Sequence, residues 1–584
     1  MLLRMRRDER GFTMVTVVGA LLAVTMLCIA ALSYAQGDLK PGAHDRDRKI
    51  AYAAAEAGIQ NYAYYLSQDP GFWAKCASST AHVSQRWNGT GPDPRTWTAL
   101  SGGNSSYAIE LLPANGNSSC DANNAEATMI DTTTGTFRVR ATGRALVGGV
   151  KRSIVANFKR QSLLDFIYFT DKETRSPLLY DVDRGNVPTH SLSGSGETLT
   201  EWAINNCDRY YGNDTDGLRQ NQKYHGEEYD SAAGTWSALE EIHCSEIDFI
   251  DPDVTLGPFH TNDEFSCSGA PDFGEYGQDL VETSSSGQTA IPAIGFRNPP
   301  TSSGATCSPD FIGTQVRNAA KLEIPPTNLS LRRDTAPNNR FVGRTQIKLA
   351  GANMIVTGTR EDGTQLTNET VPIPADGVVF VSNSKPGVPP GSPGYQCPRY
   401  SVTNPYVPVP DNACGNLEVS GNYSVNLTLT AENDIIVTED LRRPAGNPPS
   451  PDVLLGLISN NFIRVYHPVL GCDVMRGCDY TTTTCPNGVG PGDIQIDAAI
   501  LSLNQSFLAD NWFCGAALGT LTVRGAIVQK YRGPVGKTTP PPARGYVKNY
   551  TYDRRLRYRS PPKFLDPVQA AWRIQTYSEQ VPAR

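Results

Sequence analysis

From Phe12 to Ala35 the chain runs through 24 positions without a charged residue. At about 1.5 Å of rise per residue such a helix covers the roughly 30 Å hydrocarbon core of a bilayer. Arg4, Arg6, Arg7 and Arg10 stand just before it, and a basic flank of this kind holds the N-terminal side of an apolar helix in the cytoplasm. Two readings follow. A secretory signal would be cut among the small residues of Ala31 to Ala35 and lost; a retained helix would anchor everything behind it.

The residues ahead of the apolar run favour retention. Arg10-Gly11-Phe12-Thr13, a basic leader followed by Gly, Phe and an unbroken apolar helix, resembles the prepilin signal of type IV pilins and type II secretion pseudopilins. The resemblance implies that a prepilin peptidase cuts between Gly11 and Phe12, that Phe12 is then methylated, and that the partners are other pilin-like subunits. Glycine at the cut fits, because a residue without a side chain lets a protease approach the backbone. The fifth position after the cut, a filament-packing glutamate in most major pilins, is Thr16 here. That departure implies a minor, tip-located subunit. The competing reading is a single-span anchored protein outside any filament.

With 584 residues the chain suggests about three folded units beyond the anchor. Gly 53 and Pro 42 make up about 16% of it, above the roughly 12% average and in keeping with loop-rich β structure. A net charge of -7 gives no general attraction to nucleic acid. Of 13 cysteines, Cys28 lies in the apolar run and the other twelve follow it. That even number on the exported side predicts up to six disulfides, with pairing left open; Cys472, Cys478 and Cys485 read as a stapled loop.

Gly37, Pro41 and Gly42 predict a break in the helix where it leaves the bilayer. Helical spacing resumes over Asp45 to Leu66, with Ile50, Ala54, Ala57, Gly58, Tyr62 and Tyr65 on one face. The run AYAAAEAGIQNYAYYL resembles the stem of PilX-like minor pilins; Glu56 within it reads as a solvated or packing residue rather than an acid catalyst. After a polar stretch with Cys76 and Cys120 at its ends, TFRVRATGRALVGGVKRSIVANFKR alternates with period two about Gly148-Gly149, a β-hairpin signal. A helical stem followed by an antiparallel sheet is the plan of a pilin.

From Leu163 the patterning is β throughout, with a loose repeat. It is seen at 254–260, 347–356, 371–381, 417–425, 427–437, 455–465, 494–503 and 521–530. Short Ile/Val/Leu strands with Asn and Gly corners, in units that cannot bury a face alone, predict stacked coils. The stretch also resembles a solenoid-type domain joined to PilX-like stems in bacterial surface proteins of unassigned function. Near the C-terminus ten Lys and Arg residues between Lys530 and Lys563 interleave with tyrosines. That composition suits phosphate binding, but docking of the tail on an acidic body is favoured and nucleic acid is not the expected partner. Asp566-Pro567 predicts the start of a short helix through Ala570, Ala571, Trp572 and Ile574 that caps the coil end.

Candidate chemistry is sparse. A polysaccharide-active enzyme needs paired carboxylates near a His or Arg, and His260 with Asp263, or Arg464 with His467, are the places where such groups cluster; the competing reading gives them backbone bonds at corners, with Arg464 turned outward. Asn213-Asp214-Thr215-Asp216 lacks the order of a calcium loop. No HExxH, GxxxxGK or GxSxG occurs. No catalytic, cofactor-binding or metal site is assigned.

The resulting expectation is an α+β chain: leader 1–11, transmembrane and amphipathic stem 12–67, pilin-like β domain 68–160, a right-handed parallel β-solenoid over 161–535, and a basic/aromatic segment 536–584 with its capping helix. It would sit in the cytoplasmic (inner) membrane by residues 12–35 with its body outside the cytoplasm, as a non-enzymatic minor pilin-like subunit of a type IV pilus or related secretion filament that serves assembly, tip presentation or adhesion to an unknown surface ligand. The alternatives are an anchored surface solenoid without filament partners and an enzyme on the same scaffold.

Overall fold

The computed structural model describes the chain from Phe12 on, apart from residues 70, 80–81, 84–95, 132–135, 147–148, 161, 181–189, 192–198, 211–225, 231–234, 239–243, 245–246, 252, 286–295, 298–307, 384–396, 398–412, 447–451, 468–491, 513–516, 538–543, 558, 568–571 and 582–584. The leader arginines, Gly11, Gly148, Asn213 to Asp216, and Cys472, Cys478 and Cys485 therefore lie outside the described residues. Two compact units make up the chain: Met1–Gln161 with Ala571–Arg584, and Ser162–Ala570.

The first unit is built on helix α1, Phe12–Gln68, 57 residues long. The expected break at Gly37, Pro41 and Gly42 is absent: α1 passes through all three. A proline in a helix costs one hydrogen bond and some distortion, but both flanking stretches are strong helix formers, and extension from an existing turn is far easier than a new nucleation. Strands β1 (Ser105–Leu112), β2 (Thr136–Ala145) and β3 (Lys151–Arg160) follow as an antiparallel sheet. The β2–β3 hairpin has Phe137 opposite Phe158, and Gly149 in its turn has φ +66, a conformation glycine adopts without strain. Cys76 and Cys120 form a disulfide.

The sheet has a further strand that the sequence reading missed. Trp572–Gln580 returns from beyond the second unit and pairs antiparallel with β3, from Trp572 opposite Arg160 to Gln580 opposite Ser153. The expected capping helix is thus corrected: Trp572 and Ile574 are strand residues, while Ala570 and Ala571 lie outside the described residues. The helix signal at Asp566-Pro567 was local; the unpaired edge of β3, which offers a ready ladder to any strand, is not visible from that stretch. Trp572 packs 4.7 Å from Phe137 and 5.6 Å from Trp73, centroid to centroid.

The second unit is almost wholly β. Its principal strands are β4 (Tyr168–Arg175), β5 (Phe259–Thr261), β6 (Leu280–Thr283), β7 (Arg340–Gly351), β8 (Asn353–Arg360), β9 (Gln365–Pro372), β10 (Val378–Ser382), β11 (Leu417–Tyr423) and β12 (Leu427–Ala431). They continue with β13 (Ile435–Arg442), β14 (Leu455–Ser459), β15 (Ile463–Val465), β16 (Ile494–Ile496), β17 (Ala499–Ser502), β18 (Phe507–Ala509), β19 (Ala517–Arg532) and β20 (Arg544–Tyr552).

The open right-handed solenoid expected here is corrected, because the hydrogen bonding closes on itself. Starting from β7, parallel pairing runs through β11, β13, β16, β19, β17, β14, β12 and β10 and returns to β7, a closed barrel of nine strands. The closure comes from two long strands. β7, with 12 residues, pairs by its first part with β10 and by its second with β11. β19, with 16 residues, pairs with both β16 and β17. The sequence repeat registers which segments lie beside one another; it carries no sign that two strands bend far enough to join the faces. The resemblance to a PilX-like stem joined to a solenoid-type domain falls with that correction.

Inside the barrel, alternate residues such as Leu427, Leu429, Ile435, Val437, Leu455, Leu457, Ile500 and Ile527 form one buried apolar cluster, which is the inward set of a period-two pattern. Corner asparagines are stacked between turns: Asn433 donates to Asn416 at 2.6 Å and Asn461 donates to Asn433 at 2.7 Å. One amide can donate and accept at once, so a column of them satisfies successive corners that would otherwise leave buried polar groups unpaired. The antiparallel hairpin β8–β9 extends from β7, and its outer strand is kept from further pairing by Pro372 and by Asn368 at φ +54. The tail does not cap a barrel end. Pro561 and Phe564 lie over Gly456, and Thr428 donates to the Pro562 carbonyl, on the outside of the β12–β14 pair.

Candidate functional site

The feature with the clearest functional consequence is α1. Met14–Ala31 is long and apolar enough to cross a membrane. Its side chains are open in the isolated chain, from Val18 at 48% to Met14 at 74%, an exposure that costs far too much in water to be the working state of so large an apolar surface. Thr25 donates to the carbonyls of Leu21 and Leu22, so its hydroxyl is satisfied within the helix, as a hydrocarbon environment demands. Thr16 is on this exposed segment, and Phe12 opens the helix.

The second half of α1 has a different surface. Ala51, Ala54, Ala55, Ile59, Tyr62 and Leu66 are buried at spacings of three and four and meet the inner face of β1–β3. Small residues are required there. A Cβ on Gly143 of β2 would lie 2.0 Å from the Ala51 carbonyl oxygen and 2.4 Å from the Ala55 nitrogen. Helix and strand backbones are therefore in direct contact, and the alanine run is the surface that permits it. Further along, Tyr62 packs edge-on against Phe72, Phe137 and Phe158. Glu56 is exposed.

The residues considered for catalysis are tied into the body. His260 is fully buried between Phe166 and Phe169; its Nδ1 lies 2.9 Å from Glu282 Oε2 and its Nε2 3.1 Å from Asn262 Oδ1. The Leu322 main chain fixes the Asn262 amide, donating to Oδ1 and accepting from Nδ2. The oxygen thus faces the ring, and His260 Nε2 carries a proton and donates it. Asp263 instead accepts from the Glu173 backbone N–H, so the two residues serve different partners. Glu173 is buried against Arg532; burial pushes its carboxyl above the ordinary range, opposed by Arg532.

Arg464 does turn away from the barrel interior, since Ile463 and Val465 are the core residues of β15, yet it is buried and held between Asp434 at 3.1 Å and Asp510 at 3.2 Å. The outward turn is as expected, and its end is an ion pair with two buried carboxylates. His467 donates from Nδ1 to the Asp510 carbonyl at 3.1 Å, and burial lowers its imidazole below the usual value. Asp434, Asp510, Glu173 and Glu282 went unrecognised in the sequence because their partners come from other strands of the second unit, far along the chain. Among the described residues no group of three or more His, Cys, Asp or Glu side chains could hold a metal ion.

The C-terminal basic run is engaged by acids of the same unit. Arg554 bonds Glu275 at 2.6 Å and Asp279 at 3.1 Å, and stacks 4.1 Å over Tyr276. Arg557 bonds Asp279 at 2.7 Å, and Arg555 bonds Asp553 and Asp452. Burial would raise Asp279, but these arginines and backbone N–H groups hold it below the ordinary range. Disulfides Cys207–Cys244 and Cys397–Cys414 also lie in this unit, and Cys28 of the apolar segment is a free thiol.

No family model matches the chain, and no curated protein matches it. Among solved structures, the crystal structure of the competence-associated pilin ComZ from Thermus thermophilus is similar at 11% identity, over 91% of this chain and 97% of that one, with a TM-score of 0.28. A score of that size does not establish a common fold. What stands on this chain's own residues is one apolar N-terminal helix fit to cross a membrane, a sheet packed on its continuation, and a large β-rich unit.

Proposed function

We propose that this chain is a minor pilin-like subunit of a type IV pilus or related secretion filament, a non-enzymatic component that inserts in the cytoplasmic membrane by residues 12–35 and presents its β-rich body outside the cytoplasm. One observation carries the reading. A single continuous helix is apolar and open over its first half and packed on an antiparallel sheet over its second, the arrangement needed by a subunit that is stored in a bilayer and then laterally packed with other stems. Prepilin peptidase would act between Gly11 and Phe12, and the exposed apolar half would pass from lipid to neighbouring subunits without meeting water. Thr16 in place of a carboxylate fits a subunit with none above it. Assembly, tip presentation and adhesion are the roles open to such a subunit.

The test is N-terminal mass spectrometry of the chain recovered from cells that express a prepilin peptidase. A chain that starts at methylated Phe12 supports the proposal. One that begins near Gln36 or remains uncut at Met1 sinks it and leaves a secreted or simply anchored surface protein.

A further inference from the structure

Lys548 and Asp253 are far apart in sequence and adjacent in space. Val254 pairs with Asn549 in a parallel ladder, so Asp253 and Lys548 hold the equivalent preceding positions on two neighbouring segments. Lys548 Nζ lies 2.5 Å from Asp253 Oδ2. Three other lysine–carboxylate pairs are described, and each has an open carboxylate: 59% for Lys49–Asp45, 42% for Lys75–Asp69 and 45% for Lys172–Asp208. Here the two side chains are only 15% and 6% exposed.

The surroundings are aromatic. Phe249, Tyr168 and Tyr550 are buried in the same cluster, and Phe249 receives Lys548 Nζ at 5.7 Å and the Arg532 guanidinium at 3.5 Å from its ring centre. Burial lowers the Lys548 ammonium from its ordinary value, against the attraction of Asp253, and the nearby Arg532 charge acts in the same direction as burial. A dry site that holds an amine and a carboxyl at bonding distance supplies both reactants for condensation in fixed orientation, the condition under which effective concentrations become very large.

We propose that Lys548 and Asp253 form an intramolecular isopeptide bond. The ammonium first gives a proton to the carboxylate, leaving a neutral amine and a carboxylic acid. The Nζ lone pair attacks Cγ of Asp253, a second Nζ proton passes to the departing hydroxyl, the Cγ–O bond breaks and one water leaves. No oxidant, reductant or co-reactant enters, and the product is an amide between Nζ and Cγ that staples β20 to the segment at Val254.

Peptide mapping of the reduced full-length chain, isolated from membranes, tests this. The expected result is one species joining the peptides that contain Asp253 and Lys548, lighter than their sum by one water, with no tryptic cleavage after Lys548. On a reducing denaturing gel the wild type should also migrate faster than the Lys548→Arg and Asp253→Ala variants, because the link closes a covalent loop. Separate peptides of unmodified mass in the wild type overturn the proposal, as does a link that survives either substitution. The readout does not depend on processing at Gly11, so it stands apart from the filament reading.

Discussion

Gly143→Ala is the perturbation that most directly tests how the stem is held. The added methyl would lie 2.0 Å and 2.4 Å from two backbone atoms of α1, where real Cβ contacts stay beyond 3.0 Å. The helix must back away from β2 by about 1 Å, the kind of overpacking that costs roughly 1–3 kcal/mol, at the upper end here because backbone cannot rotate aside. Reduced freedom of the unfolded chain returns about 0.4–1 kcal/mol. The net loss is about 2 kcal/mol. Gly58→Ala is the control. Its methyl meets the Tyr107 ring at 2.9 Å, a side chain that can shift, and alanine gains up to about 1 kcal/mol over glycine inside a helix, so the sum is near zero. Hydrogen exchange of residues 51–66 in the detergent-solubilised chain should speed up roughly thirtyfold in Gly143→Ala if the full loss appears as local opening. Equal exchange in the two variants would refute the claim that backbone contact sets the stem's seat.

Three further outcomes are expected. Arg464→Met should destabilise the second unit by about 3–5 kcal/mol in urea unfolding, since Asp434 and Asp510 are left buried without their cation; a loss under about 1 kcal/mol would show that water reaches them. Stability of the second unit should fall on acidification in two stages. His467 is depressed in the folded state, so the unfolded chain takes up the extra proton and stability drops as pH falls below about 6.5; Asp279 is also depressed, so its contribution is present above about 3.9 and is lost as pH falls through its folded value. Urea midpoints against pH for Asp279→Asn, which should shrink the lower stage that Asp208 and Asp452 share and leave the upper one, check both signs. Removal of residues 571–584 should leave the exchange of barrel amides unchanged while that of β3, deprived of its partner strand, rises to solvent-like rates on the newly open edge; protection of β3 in the truncated chain would contradict the pairing.

The elements that read well from sequence are those whose cause is local. The apolar run of α1, the period-two hairpin around Gly148-Gly149 and the Asn-rich corners all announce themselves within a dozen residues. What failed depends on distant partners. Pro41 looked like a stop because its own cost is local, whereas the gain from an uninterrupted helix is spread along it. Trp572 and Ile574 read as helical until β3 is seen to lack a neighbour. The barrel looked open because 521–530 read as two short strands about a corner, whereas β19 runs unbroken through Gly525 and pairs with β16 before it and β17 after it, and that continuity depends on what flanks the strand on both sides. His260 and Arg464 were noticed by residue type, but Glu282, Asp434 and Asp510, which decide their state, are brought near by parallel pairing of β5 with β6 and of β15 with β13 and β18.

The return of Trp572–Gln580 to β3 has a consequence for biosynthesis. A chain made from its N-terminus delivers β3 first, then everything from Ser162 to Ala570, and only afterwards the strand that covers β3's edge. At ordinary synthesis rates that interval is roughly 20 to 80 s. Throughout it the sheet of the first unit keeps one edge bare, and a product that stops short anywhere in the body never closes it. The seam thus closes only on a chain whose body has been made in full, and a strand that pairs with a bare edge would bind unfinished chains and not complete ones.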